Sequence, residues 1–214
     1  MDLLKQLLDL FLHLDVHLAT VIVQYGVFTY ALLFLVIFCE TGLVVTPFLP
    51  GDSLLFAAGT FAAKGSFEPL SLFGLIAIAA IAGDSLNYAI GSWIGPRVFS
   101  ENRRWLNQKH LKQTQDFYAK YGNKTIIFAR FVPIVRTLAP FVAGVGKMDY
   151  KKFISFNIIG GLAWVALFIF GGYFFGMIPA VEKNYSLVIL GIILLSILPA
   201  VFHFVRAKME TDRS

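Results

Sequence analysis

Charged residues are the most informative deficit of this sequence. Asp, Glu, Lys and Arg make up only 14% of its 214 residues, whereas hydrophobic residues make up 57%. Soluble domains carry roughly 25% charged residues, so the composition indicates an integral membrane protein. The formal net charge is +5, but the basic residues lie in short segments beside apolar runs. That pattern is typical of membrane topology signals and of contacts with anionic lipids, and we predict no nucleic-acid partner.

Residues that commonly carry chemistry are scarce too. Cys39 is the only cysteine, so the chain has no internal disulfide framework. The four histidines lie outside the broken apolar segments described below, and the sequence contains no G-x-S-x-G motif. His13 and His17 share a helix face, but no further metal ligand is evident near them. We therefore predict no enzyme activity, no metal site and no cofactor.

Long apolar runs, by contrast, are abundant. Residues 27–45, 69–95, 153–179 and 185–205 are each near or above the roughly 20 residues that a membrane-spanning helix needs. Residues 1–20 place leucines at helical spacing with polar residues largely elsewhere, which predicts an amphipathic helix in the membrane interface. The predicted fold is an all-α integral membrane protein, a helical bundle with an N-terminal amphipathic helix.

Two further apolar runs are broken by charges, glycine and proline. The first, about residues 40–63, includes TPFLPGDSLLFAAG, and the second, about residues 126–146, includes FARFVPIVRTLAPFVAG. Both carry a Thr, a Pro-Phe pair and an Ala-Gly ending, a weak echo of the kind that inverted repeats leave. The residues expected to shape these segments are Pro50, Gly51, Pro133, Pro140 and Gly144.

The basic residues predict how these runs meet the membrane. Residues 97–125 carry seven Lys and Arg and should be cytoplasmic. If 126–146 crossed the membrane, the lysines just after it and the basic tail, 206–214, would face outside. If it enters and returns, all three basic regions are cytoplasmic, as the positive-inside rule requires. We therefore predict two opposed re-entrant hairpins, with 40–63 entering from the other face.

Four charged residues lie within the two broken runs, and these are Glu40, Asp52, Arg130 and Arg136. Each charge in a membrane core costs roughly 2.5–3.5 kcal/mol, so it must be solvated by water, by an opposite charge or by a ligand. An arginine fork matches phosphate oxygens, and a carboxylate can carry a proton. The alternative is an ion-pair network that only locks the hairpins together. Asp84 and Asn87, within the span 69–95, are accessory candidates.

The motifs resemble those of a known family. Glu40 followed by PFLPGDSLLFAAG, then GDSLNYAIG, FARFVPIVRTLAPFVAG and GGLAWVALFIFGGYFFG, is similar to the DedA family of bacterial inner-membrane proteins, whose domain is also called SNARE-associated or VTT. The resemblance covers about residues 25–205. It implies opposed re-entrant hairpins, dependence on the proton motive force, a role in envelope integrity, and movement of undecaprenyl phosphate or phosphatidylethanolamine between leaflets. It also implies that Glu40 and Asp52 form a functional acidic pair and Arg130 and Arg136 an arginine pair.

We therefore expect a multi-pass protein of the bacterial inner membrane that moves a phosphate-bearing lipid, first of all undecaprenyl phosphate. Arg130 and Arg136 would bind the phosphate, and Glu40 and Asp52 would carry the coupling proton. Four alternatives stay open at this point: a flippase or scramblase for phosphatidylethanolamine or another phospholipid, a proton-coupled solute transporter or osmotic regulator, an enzyme acting on lipid phosphates, and an assembly partner. The coupling ion, proton or sodium, and a homo-oligomeric state are also open.

Overall fold

Helices make up all the regular structure in the part of the chain that the computed structural model describes, residues 14–43, 51–94, 122–192 and 194. In chain order they are α1 (Leu14–Tyr25), α2 (Phe28–Gly42), α3 (Gly51–Ala63), α4 (Pro69–Ile94), α5 (Thr125–Ala129), α6 (Pro133–Val145), α7 (Tyr150–Phe175) and α8 (Pro179–Lys183). A short 3-10 turn, Gly122–Lys124, precedes α5, and residues 185–192 are helical again. The predicted all-α fold is confirmed.

Two of these helices, α4 and α7, are long and apolar enough to cross a membrane. Each has 26 residues, or about 39 Å at 1.5 Å per residue, more than the roughly 30 Å of a bilayer's hydrocarbon core. They correspond to the predicted spans 69–95 and 153–179. In contrast, α2 has 15 residues and ends at Gly42, so the predicted span 27–45 is only partly described.

The helices α3 and α6 have 13 residues each. At about 20 Å in length, neither is long enough to cross the hydrocarbon core. They lie within the two predicted broken runs, and their length is what a re-entrant segment needs. The re-entrant arrangement itself stays a prediction.

The break in the second run lies between α5 and α6, at residues 130–132. Pro133 is the first residue of α6, where the missing N–H of proline is not needed. Pro140 lies inside α6, so this proline does not end the helix. It has no N–H to donate to the carbonyl of Arg136, four residues earlier. The helical backbone is therefore interrupted at Val132, which is extended with φ −126° and ψ 106°, and not at Pro140.

Some predicted features lie outside the described residues. These are the first 13 residues of the predicted amphipathic helix, residues 44–50 of the first broken run including Pro50, most of the basic loop 97–125, residues 193 and 195–205 of the predicted span 185–205, and the tail 206–214. Residues 14–20 of the predicted amphipathic segment belong to α1.

The chain forms two compact units. The first contains α1, α2 up to Ile37, α3, the part of α4 up to Ala79, the part of α7 from Leu162, α8, and the helical residues 185–192. The second contains the end of α2, the rest of α4, both α5 and α6, and α7 up to Gly161.

In the first unit, α3 crosses the last part of α7 at a point where glycines replace side chains. Gly59 faces the backbone of Ile169, and Gly172 faces the backbone of Phe56. A methyl group at either glycine would overlap the facing carbonyl group. The two helices can therefore approach closely only because these positions lack a Cβ.

The second unit repeats this crossing with α6 and the second part of α4. Gly91 faces the backbone of Phe141, and Gly144 faces the backbone of Tyr88. The GxxxG pairs that start at Gly91 and Gly172 are of a type that packs helices closely. That role is seen for Gly91, Gly172 and Gly176, whereas Gly95 lies outside the described residues.

An apolar stripe on α6 forms the core of the second unit. Val135, Ala139 and Ala143 follow one another at intervals of four residues, so they lie on one helix face. They are buried against Ile126 of α5 and Phe153 of α7. This burial fixes how α6 is rotated, and thereby where its first-turn arginine lies.

Candidate functional site

Glu40 and Arg136 form a buried ion pair in the second unit. Glu40 is in the last turn of α2, and Arg136 is in the first turn of α6. The Arg136 Nη2 donates a hydrogen bond to the Glu40 Oε1. The carboxylate side chain is 1% exposed and the arginine side chain 10% exposed. The predicted meeting of an acid from one broken run with an arginine from the other therefore occurs for this pair.

Arg130 forms a second buried ion pair, with Asp84. It lies in the break after α5, and its Nη2 donates to the Asp84 Oδ2 of α4 and, at 2.6 Å, to the Asn157 Oδ1 of α7. The side chains of Arg130 and Asp84 are each 5% exposed. Asn157 is held in turn, because its Nδ2 donates to the carbonyl of Ile81 at 3.0 Å.

Two adjacent glycines of α7 make room for the Arg130 side chain. A Cβ built on Gly160 would lie 3.2 Å from the Arg130 Cδ, and one built on Gly161 would lie 3.3 Å from its Nη2. Both distances are tighter than ordinary van der Waals contact. A side chain at either position would therefore force the Arg130 side chain to shift by a few tenths of an ångström.

Asn87 connects the two helices that carry the first ion pair. Its fully buried Nδ2 donates to the carbonyl of Thr137 at 2.7 Å and to that of Thr41 at 3.3 Å. These carbonyls belong to the residues directly after Arg136 and Glu40. The Asn87 Oδ1 has no hydrogen-bond partner among the described residues. Asn87 therefore sets the spacing of α2 and α6 beside the Glu40–Arg136 pair.

Asp52 belongs to the first unit. It is the second residue of α3, where the positive end of the helix dipole favours a carboxylate. Its Oδ1 accepts a hydrogen bond of 2.9 Å from the Trp164 indole Nε1. Of the four charged residues predicted from the broken runs, Glu40, Arg130 and Arg136 thus lie in the second unit with Asp84, and Asp52 lies in the first.

The remaining predicted residues are shown as follows. Gly51 is the first residue of α3, Pro133 the first of α6, and Pro140 lies within α6. Gly144 packs against α4, one residue before the end of α6. Their part in shaping re-entrant hairpins stays a prediction.

Asn157 and Trp164 were not predicted as site residues from the sequence. Asn157 could have been found, because it is an amide within the apolar run 153–179, and polar residues inside a span deserve a functional hypothesis. Trp164 had no such signal, since its role depends on an acid far away in the chain. Among the residues that the structure describes, no group of three His, Cys, Asp or Glu could hold a metal ion.

The second unit thus holds two guanidinium groups, each neutralised by one carboxylate and screened from water. An arginine fork that accepts a carboxylate also accepts the oxygens of a phosphate. Each guanidinium therefore has the kind of hydrogen-bond donors that an anionic ligand would need.

Comparison with known proteins supports the membrane assignment. The VTT domain matches residues 49–174, a range that includes Asp52 and both arginines but not Glu40. Protein DedA of Escherichia coli (strain K12) is 54% identical over 217 residues, which cover 100% of this chain and 99% of that protein. The chain belongs to the DedA family.

Other DedA-family relatives are more distant. An uncharacterized membrane protein of Mycobacterium leprae is 41% identical over 183 residues, which cover 84% of this chain and 82% of that protein. Inner membrane protein YghB of Escherichia coli (strain K12) is 33% identical over 173 residues, which cover 79% and 75%. No solved structure matches the chain. This DedA-family chain is therefore a VTT-domain membrane protein.

Proposed function

We propose that this protein moves a phosphate-bearing lipid between the leaflets of the bacterial inner membrane, with undecaprenyl phosphate as the first candidate, and that proton movement drives the transport. The observation that carries this proposal is the pair of buried arginines, Arg130 and Arg136, beside breaks or ends of helices. Permanent charges are expensive in a membrane, and intramembrane charges are by default functional.

Phosphate chemistry fits these arginines. A guanidinium donates two parallel hydrogen bonds to phosphate oxygens, and two guanidinium groups supply the positive charge that a phosphate monoester needs. The polyprenyl chain would stay in the bilayer while the headgroup crosses between polar side chains. Glu40 and Asp52 would carry the coupling proton, and Pro50, Gly51, Pro133, Pro140 and Gly144 would shape the re-entrant segments.

The proposal includes a topology. The basic loop 97–125 and the C-terminal tail would face the cytoplasm, because basic residues accumulate on that side. The proposed partners are membrane lipids and protons, with sodium as the alternative ion. Transport rather than catalysis is the proposed activity.

One observation favours phosphatidylethanolamine as a second candidate. Each buried arginine adjoins a carboxylate, Glu40 for Arg136 and Asp84 for Arg130. A zwitterionic headgroup could place its phosphate on an arginine and its ammonium group on the neighbouring carboxylate.

The test is a leaflet assay with purified full-length protein in liposomes. Undecaprenyl phosphate and phosphatidylethanolamine are compared, each with and without a pH gradient. We expect the gradient to accelerate undecaprenyl phosphate, Arg136→Ala to abolish this transport, and Arg136→Lys to retain part of it. The matched control is Asp149→Asn, which changes an exposed acid and keeps an oxygen for the Lys152 amide.

Other outcomes would assign other functions. Faster movement of phosphatidylethanolamine would select the second candidate. Proton flux without movement of either lipid would indicate a solute transporter, and release of inorganic phosphate from the lipid would indicate an enzyme. The proposal is wrong if Arg136→Ala moves lipid as fast as the wild type.

A further inference from the structure

One nitrogen of the Arg130 guanidinium, Nη2, already has two acceptors. The same Nη2 atom donates to the Asp84 Oδ2 and to the Asn157 Oδ1. These two acceptor oxygens must therefore lie close to each other, on either side of one nitrogen. A phosphate that binds this nitrogen has to replace at least one of them.

Displacement would leave the Asp84 carboxylate in an unfavourable position. Its side chain is 5% exposed, and a buried carboxylate without a cation is far less stable than a buried neutral carboxyl group. The carboxylate can become neutral by taking up a proton. The new O–H then needs an acceptor, and the Asn157 Oδ1 that Arg130 has left is close by.

The two arginines near Asp84 also make the protonation of its carboxylate depend on the ligand. Arg130 faces it from the break after α5, and Arg136 of α6 acts on it electrostatically. Both cations favour the ionised carboxylate as long as their own charge is not neutralised by a ligand. An anionic phosphate on the arginines removes this stabilisation.

We propose that Asp84 is a third proton-carrying carboxylate of the protein, beside Glu40 and Asp52, and that it takes up a proton when a lipid phosphate displaces it from Arg130. The inference rests on the proposed function and adds Asp84 and Asn157 to its machinery. The step is balanced: the Arg130–Asp84 ion pair, a phosphate anion and a proton give an Arg130–phosphate pair and a neutral Asp84 carboxyl group bonded to Asn157. Release of the phosphate returns the proton.

This step couples phosphate binding to proton uptake at the Arg130–Asp84 pair, separately from the Glu40–Arg136 pair. Each displaced carboxylate takes up about one proton, so a ligand that engages both arginines takes up about two. The proton taken up by Asp84 and the proton taken up by Glu40 can thus be counted separately.

The test is calorimetry of farnesyl monophosphate binding to the purified full-length protein in detergent, in buffers with different ionisation enthalpies. The dependence of the heat on the buffer counts the protons that are taken up. We expect Asp84→Asn to take up about one proton fewer than the wild type, with a correspondingly weaker dependence of log Kd on pH. Asp149→Asn should equal the wild type.

A double variant that swaps the two side chains distinguishes lost proton uptake from impaired folding. In the double variant Asp84→Asn with Asn157→Asp, Arg130 keeps one carboxylate and one amide, and the carboxylate moves from α4 to α7. We expect this variant to regain the proton that Asp84→Asn has lost. If Asp84→Asn does not fold, the proposal is tested instead by infrared difference spectra of the Asp52→Asn variant. Binding of the ligand to this variant should create the band of a protonated aspartic acid.

The outcomes distinguish the two proposals. If the wild type does not bind farnesyl monophosphate, the proposed phosphate-lipid function fails and this inference fails with it. If the wild type binds and Asp84→Asn takes up as many protons, or if the aspartic acid band is absent, the inference alone is wrong.

Discussion

In both compact units a short helix crosses a long one through a reciprocal pair of glycines. Each glycine faces the backbone of the residue that lies three positions before the glycine of the other helix. In the first unit these positions are Phe56, Gly59, Ile169 and Gly172, and in the second they are Phe141, Gly144, Tyr88 and Gly91. The packing of the two units is therefore built in the same way.

The short helices also end alike. After α3, Gly65 has a φ of 84°, and after α6, Lys147 has a φ of 52°. In each case the next amide bonds the carbonyl five residues earlier, Ser66 to Phe61 and Met148 to Ala143, both at 2.9 Å. This is the Schellman motif, in which glycine normally takes the left-handed position.

The polar contents of the two units differ. The second unit holds two buried ion pairs, one of which is hydrogen-bonded to the amide of Asn157, whereas Asp52 of the first unit accepts a hydrogen bond from an indole. The two units thus share their glycine packing but differ in their buried charges. Glycine substitutions should affect stability in both units, and loss of one charge should be most costly in the second.

The largest effect is expected for breaking the Glu40–Arg136 pair. Arg136→Leu should cost about 3–5 kcal/mol of unfolding free energy, because it leaves a buried carboxylate without its cation. The double variant with Glu40→Leu should recover most of this loss and yet stay inactive in transport. The stability of the variants in detergent is measured by thermal unfolding.

Asp52→Asn in the first unit provides the comparison for this pair. It keeps an oxygen for Trp164 and should cost less than about 1.5 kcal/mol. If the double leucine variant were as unstable as Arg136→Leu, the cost would come from packing and not from an unpaired charge.

The glycine crossings should give the next largest effects, and similar ones in the two units. Gly59→Ala and Gly91→Ala should each cost about 1–3 kcal/mol, since the new methyl group overlaps a backbone carbonyl. Gly74→Ala is the matched control, because no atom lies within 4 Å of its added Cβ. It should stabilise α4 by up to about 1 kcal/mol through helix propensity. The unfolding free energies of all three variants, measured by denaturation, check these expected changes.

Asn87→Leu should disturb only the second unit. It removes the donor to the carbonyls of Thr41 and Thr137 and should cost about 1–3 kcal/mol. The substitution should also weaken phosphate-lipid binding, because these carbonyls adjoin Glu40 and Arg136. Thr60→Val is the counterpart in the first unit, where the Thr60 hydroxyl lies 3.3 Å from the Gly172 carbonyl. It should leave lipid binding unchanged, and equal loss of binding in both variants would contradict the division between the units.

Substitutions at the left-handed residue after each short helix should have smaller effects on stability, of opposite sign in the two units. Lys147→Gly should stabilise the protein by about 1 kcal/mol, because glycine adopts the left-handed conformation without a Cβ clash. Gly65→Ala should destabilise it by about the same amount for the reverse reason. Parallel thermal unfolding curves measure both, and a change of the same sign in both variants would refute the shared motif.

The smallest effect concerns the exposed Lys64–Glu182 pair of the first unit, with an Nζ to Oε1 distance of 2.8 Å. The hydrogen bond and charge of Lys64 lower the pKa of Glu182 below its usual range. The pair therefore contributes stability above the ordinary glutamate pKa, and this contribution is lost as the pH falls through the lowered pKa. Glu182→Gln should remove this small pH dependence from the melting temperature, and high salt should do the same in the wild type.

Much of the fold was predictable because hydrophobic length is a local property. The runs 69–95 and 153–179 predicted α4 and α7, and the interrupted runs predicted re-entrant segments where α3 and α6 are too short to cross the hydrocarbon core. The position of the break in the second run was not predictable from proline alone. Pro140 continues the helix, since the burial of Ala139 and Ala143 on the same face holds α6 together on both sides of it.

The candidate site was predicted in its charged residues but not in all its contacts. A charge inside an apolar run stands out without any structure, which is why Glu40, Asp52, Arg130 and Arg136 were proposed. The partner of Arg130 is Asp84, 46 residues earlier, and no local pattern links the two. Asn157 adds a third helix to the same guanidinium.

By itself, the sequence determined that this is a helical membrane protein of the DedA family and which charges lie among its apolar residues, because composition, run length and motifs are read residue by residue. Only the tertiary structure decided which carboxylate each arginine holds, and that Asp52 belongs to a different unit from the arginines. Ion pairing depends on distances of a few ångströms between helices far apart in the chain. The distance between α4 and α6 is set by the packing of Gly91 and Gly144 and of the apolar stripe on α6, and Asn87 sets the spacing of α2 and α6.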